Sequence, residues 1–397
     1  MQPENFETTN KYLPQLIAWE VTRSCNFNCR HCRAAAQNKK YADEFTTGEC
    51  FKLLDNIAGL ARPIIILTGG EPMLREDIYD IARYGYERGL RMVMAPCGML
   101  LDDNTVVKLL QAGIGCISIS IDGATAQTHD AFRQVEGAFA GALAGIAAAK
   151  RNGLAFQINT TITQHNIDEL PDIMKLAEDL GAITFNPFLL VPTGRGKELA
   201  EQEISPEQYE RTLHWLNEQR GRTRMAVRVT CAPHYQRIVR QHPQPVDKES
   251  KSAPAASKGH LHDAPAGNHD KFFDKGHPDF AHRRGSGPAA GCMGGKSFAF
   301  ISHVGQVQIC GFLEEAAGNL RENNLDFEAI WNHSPFLQRI RDVDHYAGKC
   351  SWCEFRSICG GCRARAYALT GDCLESEPFC IYEPLKEATR KKPPSIN

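Results

Sequence analysis

The feature that most constrains the fold is a regular alternation of short apolar runs and amphipathic stretches between about residues 15 and 230. Six runs have the length and composition of strands: Leu16–Val21, Ile64–Leu67, Met92–Ala95, Ile117–Ile121, Phe156–Ile162 and Ile183–Leu190. The stretches between them have helical periodicity, as in Thr47–Leu60, Ile78–Arg88, Val106–Ala112, Gly137–Asn152 and Asp168–Leu180. Strands joined by helices pair in parallel, because a parallel connection needs a crossover. Six such units predict a partial α/β barrel rather than a closed barrel of eight.

Two local signals support these helix positions. Thr46 and Glu49 have the spacing of a capping box in front of the first helix, and Pro206 stands where a first-turn proline is favoured. In barrels of this type the chemistry lies at the C-terminal ends of the strands. The loops that follow the predicted strands are therefore the places to look for functional residues.

Composition excludes several classes of protein. The chain of 397 residues has a formal net charge of -2 and 42% hydrophobic residues, so nothing points to nucleic acid as a partner. No apolar run approaches the roughly 18 residues of a membrane span, and the polar N-terminus does not resemble a signal peptide. We therefore expect a cytoplasmic protein. Of its 15 cysteines, three lie at 25–32 and eight between 292 and 380, a clustering that favours metal ligation over disulfides.

The first cysteine group, Cys25, Cys29 and Cys32, lies on the loop after the first predicted strand. Three thiolates at this spacing can each bind a different iron of a [4Fe-4S] cube. Such clusters normally have four cysteine ligands, so one iron stays open and can bind a small molecule. A zinc knuckle is the alternative, but zinc needs four ligands and the nearest spare one is His31.

The C-x3-C-x2-C loop closely resembles the cluster loop of radical S-adenosylmethionine (SAM) enzymes. The resemblance implies that a [4Fe-4S] cluster on Cys25, Cys29 and Cys32 binds the amino and carboxylate groups of SAM. An electron then splits SAM into methionine and a 5′-deoxyadenosyl radical, which makes these three cysteines the catalytic residues. The resemblance also implies a partial (β/α)6 TIM-like barrel. The position before the third cysteine is usually aromatic and packs near the adenine, and here it is His31.

A glycine pair follows the second predicted strand, in Thr68-Gly69-Gly70-Glu71-Pro72. Paired glycines let the backbone approach a ligand closely, and a glutamate can accept a hydrogen bond from an ammonium group. On its own this run indicates a turn. One strand after the cysteine loop, it matches the GGEP motif of radical SAM enzymes, which binds the SAM amino group.

Later strand ends offer further candidates for cofactor binding. Ser118, Ser120 and Asp122 can offer hydroxyls and a carboxylate to the ribose, unless they form a plain strand with one polar face. Arg195, after the sixth strand, suits a carboxylate of SAM or of the substrate. Asn159 on the fifth strand is a weaker candidate of the same kind.

Residues 241–290 differ in character from the rest of the chain. They contain six of the 14 histidines and six prolines, with few aliphatic residues. A segment of this composition cannot bury enough apolar surface to offset the entropy of ordering it. We interpret it as a linker or an insertion; the alternative is a metal-handling role for its histidines.

The remaining cysteines resemble the SPASM extension of radical SAM enzymes, which houses one or two auxiliary [4Fe-4S] clusters. The pattern is Cys292, Gly305-x4-Cys310, Cys350-x2-Cys353-x5-Cys359-x2-Cys362 and Cys380. The last close pair has x2 where the family usually has x3. A zinc ribbon is the alternative, but its pairs usually stand some 15–20 residues apart.

The resemblance implies two ways of dividing these ligands. In the first, an outer cluster is held by Cys350, Cys353, Cys359 and Cys380. The inner cluster then has three protein ligands and an open position: Cys292, Cys310 and Cys362. In the second, taken from a shorter relative of the module, one cluster is held by Cys292, Cys310, Cys350 and Cys353. Cys373 is a spare ligand or a bystander.

Together these patterns predict five segments. They are an N-terminal extension (1–14), the radical SAM partial barrel (15–240), the linker or insertion (241–290), a SPASM-like auxiliary Fe-S domain (291–385) and a flexible tail (386–397).

Longer stretches resemble the SAM-dependent haem synthases within this superfamily. They are Ala18–Cys25, Cys32–Ala35, Cys231–Tyr235 and Gly360–Tyr367. The resemblance implies oxidative decarboxylation of two propionates of iron-coproporphyrin III to vinyl groups, which gives haem b. Each decarboxylation leaves one electron too many, and an auxiliary cluster is a suitable acceptor. A small protein or flavoprotein is expected to supply electrons to the first cluster.

The porphyrin substrate needs cations for its carboxylates. Arg23, Arg30 and Arg33 lie on the predicted barrel mouth, where they bind these carboxylates unless they are surface charges or form structural ion pairs. His234 is a candidate axial ligand to the haem iron, with a packing or helix-cap role as the alternative.

Three other functions stay open from the sequence. Related enzymes act on haem d1 precursors or remove acetate arms from didecarboxysiroheme. A SPASM peptide maturase often carries an extra N-terminal recognition domain, whereas only about 15 residues precede the first strand here. A non-catalytic electron carrier or haem-binding protein has no need of an open-iron loop with a GGEP motif.

Overall fold

The computed structural model describes residues 12–244 and 291–385. Most of the predicted N-terminal extension, nearly all of the 241–290 segment and the 386–397 tail lie outside these ranges. Six strands form the barrel: β1 (Leu16–Thr22), β2 (Ile64–Gly69), β3 (Arg91–Met94), β4 (Ile114–Ser120), β5 (Ala155–Ile162) and β6 (Thr184–Leu189). Six helices accompany them: α1 (Thr47–Leu60), α2 (Ile78–Glu87), α3 (Asp103–Gln111), α4 (Ala126–Arg133), α5 (Ala138–Arg151) and α6 (Leu170–Leu180).

Neighbouring strands from β1 to β6 pair in parallel and in chain order, which confirms the predicted partial barrel. The inner and outer faces are both covered, as parallel sheets require. Ile17 on β1, Leu67 on β2 and Phe185 on β6 are fully buried. The sheet thus holds all six strand ends at one edge, where the cluster loop, the GGEP loop and Arg195 follow β1, β2 and β6.

A seventh parallel strand extends the barrel beyond the predicted six. Helix α7 (Pro206–Gln219) begins with a capping box between Ser205 and Gln208, and the predicted Pro206 stands in its first turn. It leads to β7 (Ala226–Val227), which pairs with β6, and then to α8 (Tyr235–Gln241).

The C-terminal part joins the barrel sheet. Strand β8 (Phe298–Ile301) pairs in parallel with β1, and β9 (Gln306–Gln308) and β10 (Ala316–Asn319) follow as an antiparallel meander. The strand order is β10-β9-β8-β1-β2-β3-β4-β5-β6-β7. Four helices complete this part: α9 (Phe327–His333), α10 (Pro335–Arg341), α11 (Gly348–Trp352) and α12 (Arg363–Thr370). Because β8 lies beside β1, the extension contacts the strand that carries the first cysteine loop.

Over the described ranges, no helix is both long and apolar enough to cross a membrane.

Candidate cluster and cofactor sites

The first cysteine loop buries two of its three thiols. Cys25 is 7% and Cys29 8% exposed, and both pack with Phe27. The Cys25 sulfur accepts the N–H of Phe27 at 3.3 Å, and the Cys32 sulfur accepts that of Ala36 at 3.5 Å. Burial, together with negative charge on the neighbouring cysteines, raises the pKa of Cys25 to about 12. Such a group of buried thiols with backbone donors fits a bound cationic centre, because ligation removes the thiol protons.

The GGEP loop packs directly on the strand end that leads into the cysteine loop. Gly70 N–H donates to the carbonyl of Thr22 at 2.9 Å, and Glu71 N–H donates to that of Ser24 at 2.7 Å. A Cβ on Gly69 would lie 2.1 Å from the Thr22 oxygen, and a Cβ on Gly70 would lie 2.2 Å from the Ser24 oxygen. Both positions therefore require glycine. In this structure the glycines permit close packing of two loops.

The Glu71 side chain joins the GGEP loop to the end of β3. The carboxylate is fully buried and accepts two backbone N–H bonds, one from Met73 at 2.9 Å and one from Cys97 at 2.6 Å. Burial raises its pKa, and these hydrogen bonds oppose that effect. Pro72 starts the short turn Pro72–Leu74 beside it. These contacts give Glu71 a bracing function, while the predicted contact with the SAM amino group stays a prediction.

Arg195 clamps the first cysteine loop from the opposite side. Its Nε donates to the carbonyl of Cys29 at 2.9 Å and its Nη1 to that of Ala36 at 2.8 Å. Its backbone N–H also donates to the carbonyl of Cys32 at 3.0 Å. The remaining nitrogen, Nη2, is buried without a hydrogen-bond partner among the described residues. This free donor beside the cluster loop suits the carboxylate that the sequence predicts for Arg195.

Asp122 contacts an arginine that sequence reasoning missed. The fully buried carboxylate forms an ion pair with Arg133 and accepts the N–H of Thr161 at 2.7 Å. Burial alone would raise the pKa of Asp122, but the Arg133 guanidinium holds it below its usual value. Arg133 also contacts the Cys29 sulfur at 3.6 Å from Nη1. It comes from α4, a helix of eight residues with a mostly polar composition, and the sequence analysis did not single it out.

The other ribose candidates are engaged in different ways. Ser118 is buried and accepts a hydrogen bond from Gln157, whereas Ser120 is half-buried. The Asn159 side-chain oxygen accepts the Asn186 amide at 2.9 Å. The predicted contacts of these residues with the cofactor remain predictions, and Ser120 and Asn159 are the two that are only half-buried.

His31 stacks on a protein ring. Its imidazole lies parallel to Phe132 at 4.4 Å, and Phe132 in turn stacks on His165 at 5.6 Å. Burial, helped by the nearby Arg133 charge, lowers the pKa of His31 to about 3, so the ring is neutral near pH 7. The His31 ring therefore stacks on Phe132, and its predicted contact with adenine stays a prediction.

Two of the predicted substrate arginines are paired with one buried carboxylate. Glu20 on β1 is fully buried and lies 2.9 Å from Arg23 Nε and 3.9 Å from Arg33 Nη1. Its pKa is held at about 2, because the nearby His303, with Nδ1 3.7 Å from Glu20 Oε2, and the two arginines outweigh the effect of burial. Arg30, by contrast, is exposed on the cysteine loop.

His234 lies inside the contact between barrel and extension. It is fully buried, with Nε2 3.4 Å from Glu377 Oε2 and its ring 5.0 Å from that of Tyr209. Burial lowers its pKa to about 4. This position favours the packing role over the axial-ligand role.

The cysteines of the extension form two sets. One pocket of the extension is lined by Cys350, Cys353, Cys359 and Cys380. A second set comprises Cys292, Cys310 and Cys362: burial raises the pKa of Cys310, and negative charge on the other two raises it further. This arrangement favours the first of the two predicted partitions. Within the described ranges no three histidine, cysteine or carboxylate side chains are grouped to hold a metal ion.

Comparison with known proteins gives two family matches. The radical SAM superfamily model matches residues 19–177, and the model of an iron–sulfur cluster-binding domain, SPASM, matches residues 292–360.

Among curated proteins, the AdoMet-dependent heme synthase of Methanosarcina barkeri is 44% identical over 374 residues, 94% of this chain and 98% of that protein. The protein of the same name from Nitratidesulfovibrio vulgaris is 44% identical over 370 residues, 93% of each chain. The Fe-coproporphyrin III synthase of Methanosarcina barkeri is 27% identical, over 95% of this chain and 90% of that protein.

Solved structures show the same fold at low identity. Streptococcus suis SuiB bound to S-adenosylmethionine has a TM-score of 0.68 at 14% identity, over 94% of this chain and 78% of SuiB. Native anSMEcpe with bound AdoMet has a TM-score of 0.62 at 14% identity, over 92% of this chain and 94% of that one. The chain therefore belongs to the radical SAM superfamily, in the SPASM-containing group that includes the AdoMet-dependent heme synthases.

Proposed function

We propose that this protein is an AdoMet-dependent heme synthase that converts iron-coproporphyrin III to haem b. The observation that carries the proposal is 42–44% identity with three heme synthases over nearly the whole chain. The relatives named for other tetrapyrrole steps, an Fe-coproporphyrin III synthase and a pre-heme d1 synthase, share only 27% and 28% identity. We therefore favour iron-coproporphyrin III as the substrate over a siroheme-derived tetrapyrrole.

Cys25, Cys29 and Cys32 would hold the radical SAM cluster, since all three thiols are buried or half-buried and each sulfur accepts a hydrogen bond, two from backbone N–H groups and one from Arg133. When bound, the cluster and SAM supply a carbon-centred radical that removes a hydrogen atom from the substrate. For each propionate, one hydrogen atom is lost from the β-carbon, CO2 is released and one electron is given up, which leaves a vinyl group.

The residues around the loop have separable functions in this proposal. Arg195 fixes the loop through two side-chain bonds and offers Nη2 to the SAM carboxylate. Arg133 places a positive charge beside Cys29, which stabilises the thiolate. Glu71 holds the GGEP loop in register with the cysteine loop.

The substrate carboxylates need unpaired cations. Arg23 and Arg33 already share Glu20, so they hold the barrel mouth together. The exposed Arg30, one residue after Cys29, is the better candidate for a porphyrin propionate. A one-electron reductant is needed for each turnover, and we propose a small protein or flavoprotein for that purpose.

The test is an anaerobic incubation of the reconstituted protein with SAM, a strong reductant and iron-coproporphyrin III. Porphyrin mass and 5′-deoxyadenosine are followed together, with Cys29→Ala as the control that lacks one cluster ligand. Monovinyl and then divinyl porphyrin, formed with deoxyadenosine, is the expected result. Deoxyadenosine without any change in the porphyrin would contradict the substrate and redirect the search to siroheme-derived tetrapyrroles or peptides.

A further inference from the structure

Cys231, which none of the predicted ligand sets includes, lies at the junction of barrel and extension. The residue before it, Thr230, forms a parallel bridge with Phe188 of β6, so Cys231 stands at the C-terminal end of that strand. Its φ is +60°, a left-handed conformation that is uncommon for a residue other than glycine. Such a conformation persists only where surrounding contacts impose it.

Those contacts come from the helix that begins at Cys362. The Cys231 carbonyl accepts bonds from Tyr209 Oη at 3.0 Å and from Arg365 Nη1 at 3.1 Å. Arg365 lies in the first turn of α12, whose N-cap is Cys362. The same guanidinium donates from Nη2 to the carbonyl of Leu190 at 2.6 Å. Arg365 therefore fixes the backbone of Cys231 and the start of α12 to the same end of β6.

Two further cysteines of the proposed inner cluster, Cys292 and Cys310, lie in the part of the extension next to Cys362. Cys292 N–H donates to the carbonyl of Cys359 at 3.0 Å, which holds Cys292 against the loop that ends at Cys362. A Cβ on Gly294 would lie 3.5 Å from the Cys292 sulfur and 3.0 Å from the carbonyl of Ile309, the residue before Cys310. Cys292 and Cys310 are thus neighbours on one side of the junction.

The four cysteines lie within electrostatic reach of one another. Cys362, Cys310 and Cys292 all act on the Cys231 thiol, and the fully buried Arg365 guanidinium supplies positive charge beside them. The charges that act most strongly on the control residue Cys373 come instead from Glu315, Arg339, Asp372 and Arg363.

We propose that Cys231 is the fourth thiolate ligand of the inner auxiliary cluster, completing the set of Cys292, Cys310 and Cys362. Its thiol proton is released when the sulfur binds iron. The inner cluster is then fully ligated by protein and joins the end of barrel strand β6 to the extension. This revises the expectation of an open inner position: neither the porphyrin nor another small molecule binds to iron there.

The proposal rests on the SPASM assignment and not on the identity of the substrate, and its test uses no porphyrin. Holoenzyme reconstituted with ⁵⁷Fe is compared with Cys231→Ser, Cys231→Ala and the matched control Cys373→Ser. Iron and sulfide content, Mössbauer spectra and EPR spectra of the reduced proteins are measured. Cys231→Ala is expected to lose up to about four irons per chain or to keep them with an altered auxiliary EPR signal. Cys231→Ser is expected to shift that signal, and the control to match the parent.

A second measurement uses the unmutated protein and does not depend on how the variants fold. With SAM present to occupy the first cluster, ¹³C-cyanide is added to the reduced holoenzyme and its coupling to each cluster is measured by ENDOR. No coupling to an auxiliary cluster is expected in the parent, whereas a folded Cys231→Ala protein should show one. Cyanide coupling to the inner cluster of the parent would overturn the proposal. Parental iron content and spectra in Cys231→Ala would overturn it as well.

Discussion

Arg133 lies 3.6 Å from the Cys29 sulfur through Nη1 and forms a buried ion pair with Asp122. A positive charge beside a thiolate ligand stabilises the more negative, reduced state of a bound cluster. Asp122 fixes the guanidinium in place and is itself held by the backbone of β5 through Thr161. One strand, one short helix and the cysteine loop are therefore coupled through a single arginine.

Replacing Arg133 with Gln is expected to lower the reduction potential of the radical SAM cluster. A hydrogen bond to a charged group contributes about 1.5–3 kcal/mol, which corresponds to a decrease of roughly 60–130 mV for one electron. EPR-monitored redox titration measures the change, and Arg133→Lys should restore part of it. Arg151→Gln is the matched control, because the exposed Arg151 pairs with the exposed Asp103 at 2.9 Å, away from the cysteine loop. Equal potentials in the parent and Arg133→Gln would contradict this account of Arg133.

Gly70→Ala is expected to damage the first cluster site. The added Cβ would lie 2.2 Å from the Ser24 carbonyl oxygen, a backbone atom that cannot move without breaking its bond to Glu71. We expect the free energy of unfolding to decrease by about 2–4 kcal/mol, with loss of iron from the first cluster.

Gly59→Ala is the control for Gly70→Ala, since Gly59 is exposed on α1 and a Cβ there meets nothing within 4 Å among the described residues. The control should be neutral or gain about 0.5–1 kcal/mol. Denaturant unfolding and iron analysis measure both variants. A Gly70→Ala protein as stable and as iron-rich as the parent would show that the two loops do not need this close approach.

The buried Glu203 carboxyl should make the stability of the folded protein depend on pH. Burial raises its pKa from 4.5 to about 7, although Arg365 lies 3.9 Å away and opposes the shift. Because the folded protein holds this proton more tightly than the unfolded chain, stability is lost as the pH rises from about 4.5 to 7. Glu203→Gln keeps the shape without the charge, so it should be more stable than the parent by about 1–3 kcal/mol at pH 8.

The gain from Glu203→Gln should shrink as the pH falls towards 5, where the parent carboxyl is also neutral. Denaturant unfolding of the holoproteins at pH 6 and 8 measures the difference. The neighbouring exposed Glu201→Gln is the control. A Glu203→Gln protein whose stability follows the parent at both pH values would mean that the carboxylate is not destabilised by burial.

Cys353→Ala should separate SAM cleavage from product formation. Cys353 lines the pocket of the extension that would hold the outer cluster, while the proposed SAM site lies at the first cysteine loop. The variant should still form 5′-deoxyadenosine but release little haem, and Cys373→Ser should behave like the parent. Liquid chromatography of both products measures the ratio. Full haem yield from Cys353→Ala would show that the outer cluster is not needed for product formation.

The barrel could be predicted from sequence because its signals are local. The α1 helix begins and ends at the predicted residues, and the Thr46–Glu49 capping box is present. The three-cysteine loop, the GGEP motif and the SPASM cysteines are short patterns, so they could be identified without coordinates. Helix α4 was missed, because it has only eight residues and a mostly polar composition.

The sequence could not show which residues pair with the buried charged groups, because these partners are far apart along the chain. The sequence leaves Arg23 and Arg33 open between binding a substrate and forming structural ion pairs, and the structure places the buried Glu20 beside both. It leaves His234 open between ligating haem and packing, and the structure places Glu377, 143 positions later in the chain, beside it. The proposal on Cys231 depends on a contact of the same kind, since Arg365 holds its strand end against the helix that starts after Cys362. Spacing along the chain carries no information about such contacts.

The most direct test of the central claim follows the hydrogen that leaves the substrate. Iron-coproporphyrin III deuterated at the β-carbons of its propionates is incubated with the protein, SAM and a strong reductant, and mass spectrometry follows both products. Deuterium in 5′-deoxyadenosine is the expected result, together with loss of CO2 and formation of the divinyl porphyrin. Unlabelled 5′-deoxyadenosine and an intact tetracarboxylate porphyrin, from protein with all its clusters, would contradict it.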